Sequence, residues 1–324
     1  MATNHSEKPI VQIQHLSHRY SKDWAIYDIN LELSGNKIIG LLGSNGAGKS
    51  TMMNIICGAL TQTRGKVLIN GWDINRESVE AKKVLGFLPQ KPPLHIDLTV
   101  QEYLELTADL RLMEKRKINK SIDRVLNKCG ITHFRKRLIK NLSGGYQQRV
   151  GIAQAIIHDP KFIVLDEPTN GLDPNQILEI RSLIKEIAYD KTVLLSTHIL
   201  QEVQAMCDNI IMIELGEFVF KGTMQEFSDS IKSTSLILSF DYLPGANQLS
   251  QVQGVLKTEE IDTNRVRIYF DSDIDVQKSL IKEAVEKDWR LNEIYKEKVQ
   301  PDEIFKHFSK SAYHRKENNN ENYS

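Results

Sequence analysis

The stretch KIIGLLGSNGAGKSTMMNII, residues 37–56, joins an apolar run to a glycine-rich turn and a segment with helical spacing. The run at 37–43 ends in glycine, which is typical of a buried strand that leads into a loop. The turn at 43–50 fits the pattern G-x-x-x-x-G-K-[ST], and the pattern is meaningful only between a strand and a helix. The stretch therefore predicts a strand–loop–helix unit whose loop, called the phosphate loop below, binds phosphate groups.

The residues of the phosphate loop suit a nucleotide triphosphate. Gly43, Gly46 and Gly48 let the backbone N–H groups turn inward without clashes from Cβ atoms, and the helix that follows adds about half a positive charge. Lys49 supplies a charge for the β- and γ-phosphates, and Ser50 offers a hydroxyl to Mg²⁺. With glycine at about 7% of residues, a chance match in such a chain has a probability of about one in a hundred.

Two carboxylates follow a second apolar strand in IVLDEP, residues 163–168. Asp166 ends the strand, so its carboxylate should emerge at the carboxyl edge of the sheet and hold Mg²⁺ directly or through water. Glu167 can accept a hydrogen bond from an attacking water and later its proton. Adjacent acids after a strand also fit a solvated turn, but the phosphate loop in the same chain favours the catalytic interpretation.

Polar residues end two further apolar runs, TVLLSTH at 192–198 and VLGFLPQ at 84–90. His198 is predicted to contact the γ-phosphate and hold the attacking water, with a purely structural histidine as the alternative. Gln90 is predicted to reach Mg²⁺ and the water through its amide oxygen.

A second anion-binding pattern is LSGGYQQR, residues 142–149, where a serine and two glycines precede a helix-like segment. A helix N-terminus of this kind can hold an anion. It contains no lysine and no acid or base for chemistry, and these residues alone leave open whose phosphate it would bind.

Composition limits the classes of protein. Hydrophobic content of 40% and charged content of 26% fit a soluble globular protein, and the formal net charge is zero. A zero net charge gives no support to general binding of nucleic acid or of an anionic membrane, so no nucleic-acid partner is expected. No apolar run approaches the roughly 18 residues of a membrane span, and the first residues lack an apolar signal region, so we expect a cytoplasmic protein.

The three cysteines, Cys57, Cys129 and Cys207, are far apart and lack metal-ligand spacing. We interpret them as thiols of a reducing compartment, buried or half buried in the fold.

The order of the patterns predicts the domains. Strands alternate with helices up to about residue 225, which indicates an α/β core with a mostly parallel sheet and a helical subdomain at about 95–152. We place this first domain at 10–228. The order βαββαβ in 233–310 predicts a small accessory α+β domain of ferredoxin-like type. The polar residues 311–324 are expected to be disordered.

These motifs resemble those of the ATP-binding cassette ATPases, the motor subunits of ABC transporters. The resemblance covers about residues 10–225 and includes six motifs in the family's order: the Walker A stretch GSNGAGKST at 43–51, Gln90 of the Q-loop, the signature LSGGYQQR, the Walker B stretch IVLDEP, the D-loop GLD at 171–173 and His198 of the switch. Several nucleotide-binding families share Walker A and Walker B, whereas the signature singles out this one. The implied fold is a P-loop cassette with a mixed sheet core.

The resemblance also implies a site shared by two copies of the chain in a head-to-tail homodimer. The signature of one copy would contact the γ-phosphate of the ATP that the other copy binds. The residues that would contact ATP are Tyr20, Gly43, Ser44, Asn45, Gly46, Ala47, Gly48, Lys49, Ser50, Thr51, Ser143, Gly144 and Gly145. Those that would hold Mg²⁺ are Ser50, Gln90 and Asp166.

Two positions leave alternatives open. Tyr20 aligns with the aromatic residue that stacks on adenine in the family, although Trp24 and Tyr27 are near and a core-packing aromatic is the alternative. Tyr146 stands where the family usually has glutamine, and this departure puts the rate of hydrolysis in doubt.

The overall pattern is similar to exporter-type cassettes that pair with ABC-2 permeases, a branch that includes gliding-motility ATPases. The chain has no spanning segment of its own. The resemblance therefore implies a separate multi-spanning permease, which would dock near residues 91–106 and keep the ATPase on the inner face of the membrane. The alternative is a soluble ABC ATPase in translation, repair or regulation. For the accessory domain, the alternatives are ligand binding, support of the dimer, and packing without a ligand.

Overall fold

The computed structural model describes residues 8–230, 235–270, 275–297 and 303–311. The chain divides into two compact units, one of Met1–Met224 with Phe308–Ser324 and the other of Gln225–His307. A further helix is described over 303–311. The tail predicted to be disordered lies outside the described residues except for its first residue, which ends this helix.

The first unit begins with an antiparallel sheet of four strands in the order β2-β1-β4-β5. Its strands are β1 (Val11–Tyr20), β2 (Asp23–Leu33), β4 (Arg64–Ile69) and β5 (Trp72–Asp73). Strands β1 and β2 are long, with 10 and 11 residues. Register shifts interrupt their pairing, and His15 and Asp28 have φ of 48° and 47°. Such bulges break the apolar–polar alternation by which a long strand is recognised.

A six-stranded sheet forms the centre of the first unit, in the order β10-β9-β3-β8-β7-β6. Its strands are β3 (Ile38–Leu42), β6 (Leu85–Leu88), β7 (Phe162–Asp166), β8 (Thr192–Thr197), β9 (Asn209–Glu214) and β10 (Glu217–Thr223). Every pair is parallel except β9 with β10. The predicted α/β core with a mostly parallel sheet is confirmed.

The register of this sheet brings the predicted site residues to one edge. Leu42 at the end of β3 pairs with Thr197 at the end of β8, and Asp166 at the end of β7 pairs with Ser196. Strands β3, β7 and β8 are fully buried, which explains their continuous apolar runs. The phosphate loop, Asp166 and His198 therefore leave the sheet side by side.

Helices cover this sheet and form the helical subdomain. They are α1 (Lys49–Ile56), α2 (Ser78–Lys83), α3 (Val100–Leu110), α4 (Lys115–Lys128), α5 (Gly144–Ile156), α6 (Pro174–Ala188) and α7 (Leu200–Met206). Helix α3 begins after its N-cap, Thr99, which forms a capping box with Glu102. Helices α3, α4 and α5 pack around buried residues such as Leu104, Ile122 and Val150. Helix α2 was not predicted, and it has only one buried residue, Ala81.

Chain elements after β10 are α8 (Met224–Asp229), β11 (Ser235–Phe240), α9 (Ala246–Ser250), β12 (Val255–Glu260), β13 (Arg265–Phe270), α10 (Val276–Glu286) and β14 (Leu291–Lys296). The four strands form an antiparallel sheet in the order β12-β13-β11-β14. This order, with the element order βαββαβ, is that of a ferredoxin-like fold. Its core includes Leu238, Ile268, Leu280 and Trp289.

None of the helices within the described ranges combines the length and the apolar character that a membrane span requires.

Candidate functional site

Lys49 crosses the phosphate loop from the first turn of α1. Its ammonium group donates to the carbonyl oxygens of Gly43 at 3.0 Å and Ser44 at 2.9 Å, and the residue is only 5% exposed. Burial lowers the pKa of Lys49 from its ordinary value, while the nearby carboxylates of Glu167, Asp166 and Glu214 act in the opposite direction. The loop thus already holds a positive charge at its centre, as binding of phosphate requires.

Two glycines of the loop have no room for a side chain. A Cβ atom on Gly43 would lie 2.3 Å from the carbonyl oxygen of Ile213, and one on Gly48 would lie 2.7 Å from that of Ala25. Gly48 also has φ of 108°, in the left-handed region that L side chains rarely adopt. The loop is therefore fixed closely against the neighbouring strands β2 and β9.

Glu214 is a residue of the site that the sequence did not reveal. It ends β9, is 1% exposed, and accepts hydrogen bonds from the Ser44 backbone N–H at 2.9 Å and from the Ser44 hydroxyl at 2.7 Å. Its position at the end of a buried strand, at the same edge as Asp166, was the signal that could have identified it. Glu214 positions the start of the phosphate loop.

Asp166 and Glu167 are held by one serine of the neighbouring strand. The Ser196 hydroxyl donates to the buried Asp166 carboxylate, and the Glu167 backbone N–H lies 3.1 Å from the Ser196 hydroxyl oxygen and 3.2 Å from the Ser196 carbonyl oxygen. Glu167 has φ of 46°, an uncommon conformation for a residue with a side chain. Strain of this kind persists when hydrogen bonds fix the backbone, as they do here, and it turns the two carboxylates in different directions.

The Glu167 carboxylate is the meeting point of the predicted catalytic residues. It accepts hydrogen bonds from the Gln90 amide at 2.9 Å and from the Asn170 amide at 3.1 Å, and His198 Nδ1 lies 3.1 Å from its other oxygen. Contact with a carboxylate favours the tautomer with a proton on Nδ1. The structure therefore brings Gln90, Glu167 and His198 together, and it adds Asn170, which the sequence reasoning did not single out.

The signature motif presents a different phosphate-binding surface. Ser143 and Gly144 are exposed at the N-terminus of α5, and the Ser143 side chain does not cap the helix. Apart from its chain neighbours and the backbone of α5 itself, no described residue has an atom within 4 Å of the position that a Cβ on Gly144 would take. Gly145 is buried, and a Cβ there would lie 2.6 Å from Cδ of Gln176. Exposed backbone N–H groups at a helix N-terminus can accept an anion from outside the chain.

Tyr146, the departure from the family's usual glutamine, is used for packing. Its ring lies edge-on to that of Phe134, with centroids 4.5 Å apart, and also contacts the hydrophobic core of the helical subdomain. The side chain of the fifth signature position therefore belongs to an aromatic cluster, and Ser143, Gly144 and Gly145 keep their places before it.

Tyr20 is available for stacking on a ligand. It ends β1, is 54% exposed, and its ring lies edge-on to that of His18 with centroids 4.8 Å apart. The guanidinium groups of Arg19 and Arg64 instead lie over the Trp24 ring, at 5.6 Å and 5.4 Å from its centroid. The exposure of Tyr20 contradicts the alternative that it is a core-packing aromatic.

The residues predicted to hold Mg²⁺ fit that ion by their chemistry. Ser50 is exposed in the first turn of α1, and Asp166 and Gln90 end or follow neighbouring strands at the same sheet edge. A hydroxyl, a carboxylate and an amide supply the hard oxygen atoms that Mg²⁺ prefers. The contact of Gln90 with Glu167 uses the amide nitrogen, so it does not occupy the amide oxygen.

The cysteines take no part in this site. All three are free thiols, and burial raises the pKa of each, for Cys129 to about 12. Thiols of such pKa are poor nucleophiles and metal ligands at neutral pH, which agrees with their interpretation as packing residues.

Comparisons with known sequences identify the family. The family model described as "ABC transporter" matches residues 26–170. The chain is 38% identical over 220 residues to the uncharacterized ABC transporter ATP-binding protein YdbJ of Bacillus subtilis, covering 67% of this chain and 70% of that protein. It is 34% identical over 214 residues to the ABC transporter ATP-binding protein NatA of the same organism, covering 65% and 87%. It is 33% identical over 213 residues to the lantibiotic transport ATP-binding protein SrtF of Streptococcus pyogenes, covering 65% and 90%.

Solved structures give the same result for the fold. The dimeric post-hydrolysis state of the ATP-binding cassette MJ0796, bound to ADP and Pi, matches with a TM-score of 0.60 and 28% identity over 66% of this chain and 98% of that one. CbiO1 from Clostridium perfringens, part of the ABC transporter complex cbiONQ, matches with a TM-score of 0.62 and 29% identity over 68% and 90%. By sequence, fold and site, the chain belongs to the ATP-binding cassette ATPases of the ABC transporter family.

Proposed function

We propose that this chain is a transport motor that hydrolyses MgATP between two copies of itself and drives a separate export permease. The observation that carries the proposal is the convergence of Gln90, His198 and Asn170 on the Glu167 carboxylate, beside the phosphate loop and its buried Lys49. A carboxylate held in this way, next to a site for a triphosphate, is equipped to accept a proton from water.

Each residue has a definite part in the proposed reaction. Lys49 and the backbone N–H groups of the phosphate loop bind the β- and γ-phosphates and stabilise the charge that develops on them. Glu167 accepts the proton of the attacking water at a carboxylate oxygen, and Gln90 and His198 orient the water. When bound, Mg²⁺ would neutralise phosphate charge, and Ser50, Gln90 and Asp166 are the residues that would hold it.

A homodimer gives the signature motif a purpose. The exposed N-terminus of α5 can bind phosphate but has no lysine or catalytic acid of its own. In the proposed head-to-tail dimer, Ser143, Gly144 and Gly145 of one copy contact the γ-phosphate held by Lys49 of the other. The dimeric state of the MJ0796 cassette supports this arrangement.

Mixed dimers test the head-to-tail arrangement. The substitutions Lys49→Ala and Gly145→Asp are placed either in different copies of the dimer or together in one copy. With one substitution in each copy, both defects fall on the same site and the second site stays intact. With both substitutions in one copy, each site has one defect. We expect the first mixed dimer to hydrolyse ATP faster than the second, because the aspartate places a negative charge where the neighbour's phosphate binds. Single-turnover hydrolysis by differently tagged, purified mixed dimers measures the difference.

The control for this experiment is a mixed dimer of two wild-type copies with the same two tags. A faster reaction of the mixed dimer that has both substitutions in one copy would show that the signature serves its own phosphate loop. Equal rates would show that the two motifs do not share a site.

The proposed permease would dock in a groove of the first unit. A cavity of about 500 Å³ lies between the α2–β6 segment and α3, and it is lined by apolar residues that include Tyr103, Leu110 and Leu112. Leu110 and Leu112 are 74% and 76% exposed. Pro93, His95 and Leu106 of the predicted docking segment also line this groove. Exposed apolar residues around a concave surface mark an interaction site.

The direction of transport and the location follow from the same proposal. The names of the relatives that concern lantibiotic transport and linearmycin resistance support export. The chain would then lie in the cytoplasm, on the inner face of the membrane, held there by its ABC-2-type permease.

Isolation of the tagged protein from solubilised native membranes tests the transport role. We expect a multi-spanning membrane protein to co-purify in near-equal amount with the wild type. The double variant Leu110→Glu/Leu112→Glu should lose that partner and keep ATP hydrolysis, because it changes only exposed side chains of the groove. Co-purification of ribosomes or DNA-bound proteins, or of no membrane protein, would overturn the role in transport and favour a soluble ABC ATPase.

A further inference from the structure

A buried glutamate joins two segments of the site. Glu202 lies in the first turn of α7, is 2% exposed, and accepts hydrogen bonds from the hydroxyls of Thr169 and Thr197. Thr169 belongs to the turn that follows β7 and contains Glu167, and Thr197 is the last residue of β8. A buried carboxylate is costly unless donors satisfy it, so both hydroxyls are needed where they are.

Each threonine is adjacent to a residue that contacts Glu167. The Thr197 hydroxyl oxygen accepts the backbone N–H of Ile199 at 3.0 Å, which fixes the backbone on both sides of His198. Thr169 directly precedes Asn170, whose amide donates to the Glu167 carboxylate at 3.1 Å. The two threonines therefore set the positions of His198 and Asn170 on either side of that carboxylate.

A cavity of about 180 Å³ lies beside these two segments, and Glu167, Asn170, His198 and Glu202 all line it. Side chains that face such a space make fewer packing contacts on that side. The hydrogen bonds of Glu202 are therefore a larger part of what connects the two segments.

We propose that Glu202 is a positioning residue for ATP hydrolysis: it ties the segment before the D-loop to the switch segment through Thr169 and Thr197, so that Asn170 and His198 hold Glu167 together. The inference rests on the proposed role of Glu167 and His198 in hydrolysis. It adds that the two segments act as one unit, and that loss of either hydroxyl releases both.

Substitution of the two threonines by valine, which has nearly the same shape but no hydroxyl, tests this proposal. Thr169→Val and Thr197→Val should each lower kcat by about tenfold, the effect of one hydrogen bond to a buried charged group, with little change in KM for ATP. The double variant should be no slower than the slower single variant by more than about twofold, because one broken bond already releases the unit. Thr169→Ser and Thr197→Ser keep the hydroxyl and should recover most of the rate.

Thr192→Val is the matched control. Thr192 begins the same strand, β8, is buried, and donates its hydroxyl to the carbonyl oxygen of Gly35 at 2.7 Å. Its substitution should lower thermal stability by an amount similar to Thr197→Val and leave kcat per folded molecule unchanged. An equal fall of kcat in Thr192→Val would show that the effect is general loss of structure and would overturn the proposal.

Other outcomes also decide the question. If the two single effects multiply in the double variant, the threonines act separately, and the proposal is rejected. If KM changes while kcat stays constant, the threonines act on binding of ATP, and the proposal is likewise rejected. If a valine variant does not fold, Glu202→Gln, which keeps the size of the side chain, must lower kcat at constant KM; an unchanged kcat overturns the inference. A Glu167→Gln variant with full activity would instead reject the proposed function.

Discussion

Replacement of Glu167 by glutamine should lower kcat for ATP hydrolysis by about 10²–10⁴-fold while the protein still binds ATP and forms the proposed dimer. Glutamine keeps the size of the side chain and an oxygen that can accept a hydrogen bond from the Gln90 or Asn170 amide, both of which contact the glutamate. Its amide cannot take a proton from water. The substitution therefore removes the proposed chemical step and leaves the surroundings in place.

Pre-steady-state hydrolysis and ATP binding measured on the same preparation would separate these effects. Glu259→Gln in the second unit is the matched control, because it makes the same chemical change at a residue that contacts Tyr269 and Arg267 and none of the predicted site residues in these contacts. Turnover of Glu167→Gln at the rate of the wild type would remove Glu167 from its role as the general base. Loss of ATP binding would show that the carboxylate contributes to the binding of ATP and not only to the chemical step.

The parts of the site that the sequence predicted are those that short motifs encode. The phosphate loop, Asp166, Gln90 and His198 each stand at or just beyond the end of an apolar run, and such runs in an α/β pattern become parallel strands. Parallel strands in register bring their carboxyl ends to one edge. The pairing of Leu42 with Thr197 and of Asp166 with Ser196 confirms that placement. For these residues, a place at the end of an apolar run was sufficient for the prediction, because a parallel sheet brings the ends of its strands together.

The supporting residues could not be predicted in the same way. Glu214, Ser196 and Glu202 act through side-chain hydrogen bonds to residues 29 to 170 positions away in the chain, and no short pattern encodes such a partner. Tyr146 shows a second limit. Its packing against Phe134 depends on how the helical subdomain folds, so the sequence revealed a departure from the family and gave no reason for it.

Substitution of Lys49 by alanine should weaken ATP binding by about a hundredfold. A hydrogen bond to a charged group contributes about 1.5–3 kcal/mol, and about 1.4 kcal/mol is a factor of ten in affinity. Lys49 is the charged side chain at the centre of the phosphate loop, and its ammonium also bridges the carbonyl oxygens of Gly43 and Ser44. Without it those two carbonyl groups lose their charged donor, so the loop loses both its attraction for phosphate and a hydrogen-bond partner of its own backbone.

Equilibrium binding of a fluorescent ATP analogue, with thermal unfolding as a measure of stability, would test this prediction. Lys191→Ala is the matched control, because Lys191 is also buried and pairs with the Asp159 carboxylate at 2.8 Å, away from the phosphate loop. Removal of Lys191 should cost little stability, because the Asp159 carboxylate is 60% exposed and keeps its ion pair with Arg124 at 2.7 Å, and the affinity for ATP should stay near that of the wild type. Unchanged affinity in Lys49→Ala would contradict the assignment of the phosphate loop. Equal loss of affinity in both variants would mean that stability, and not the charge at position 49, controls binding of the nucleotide.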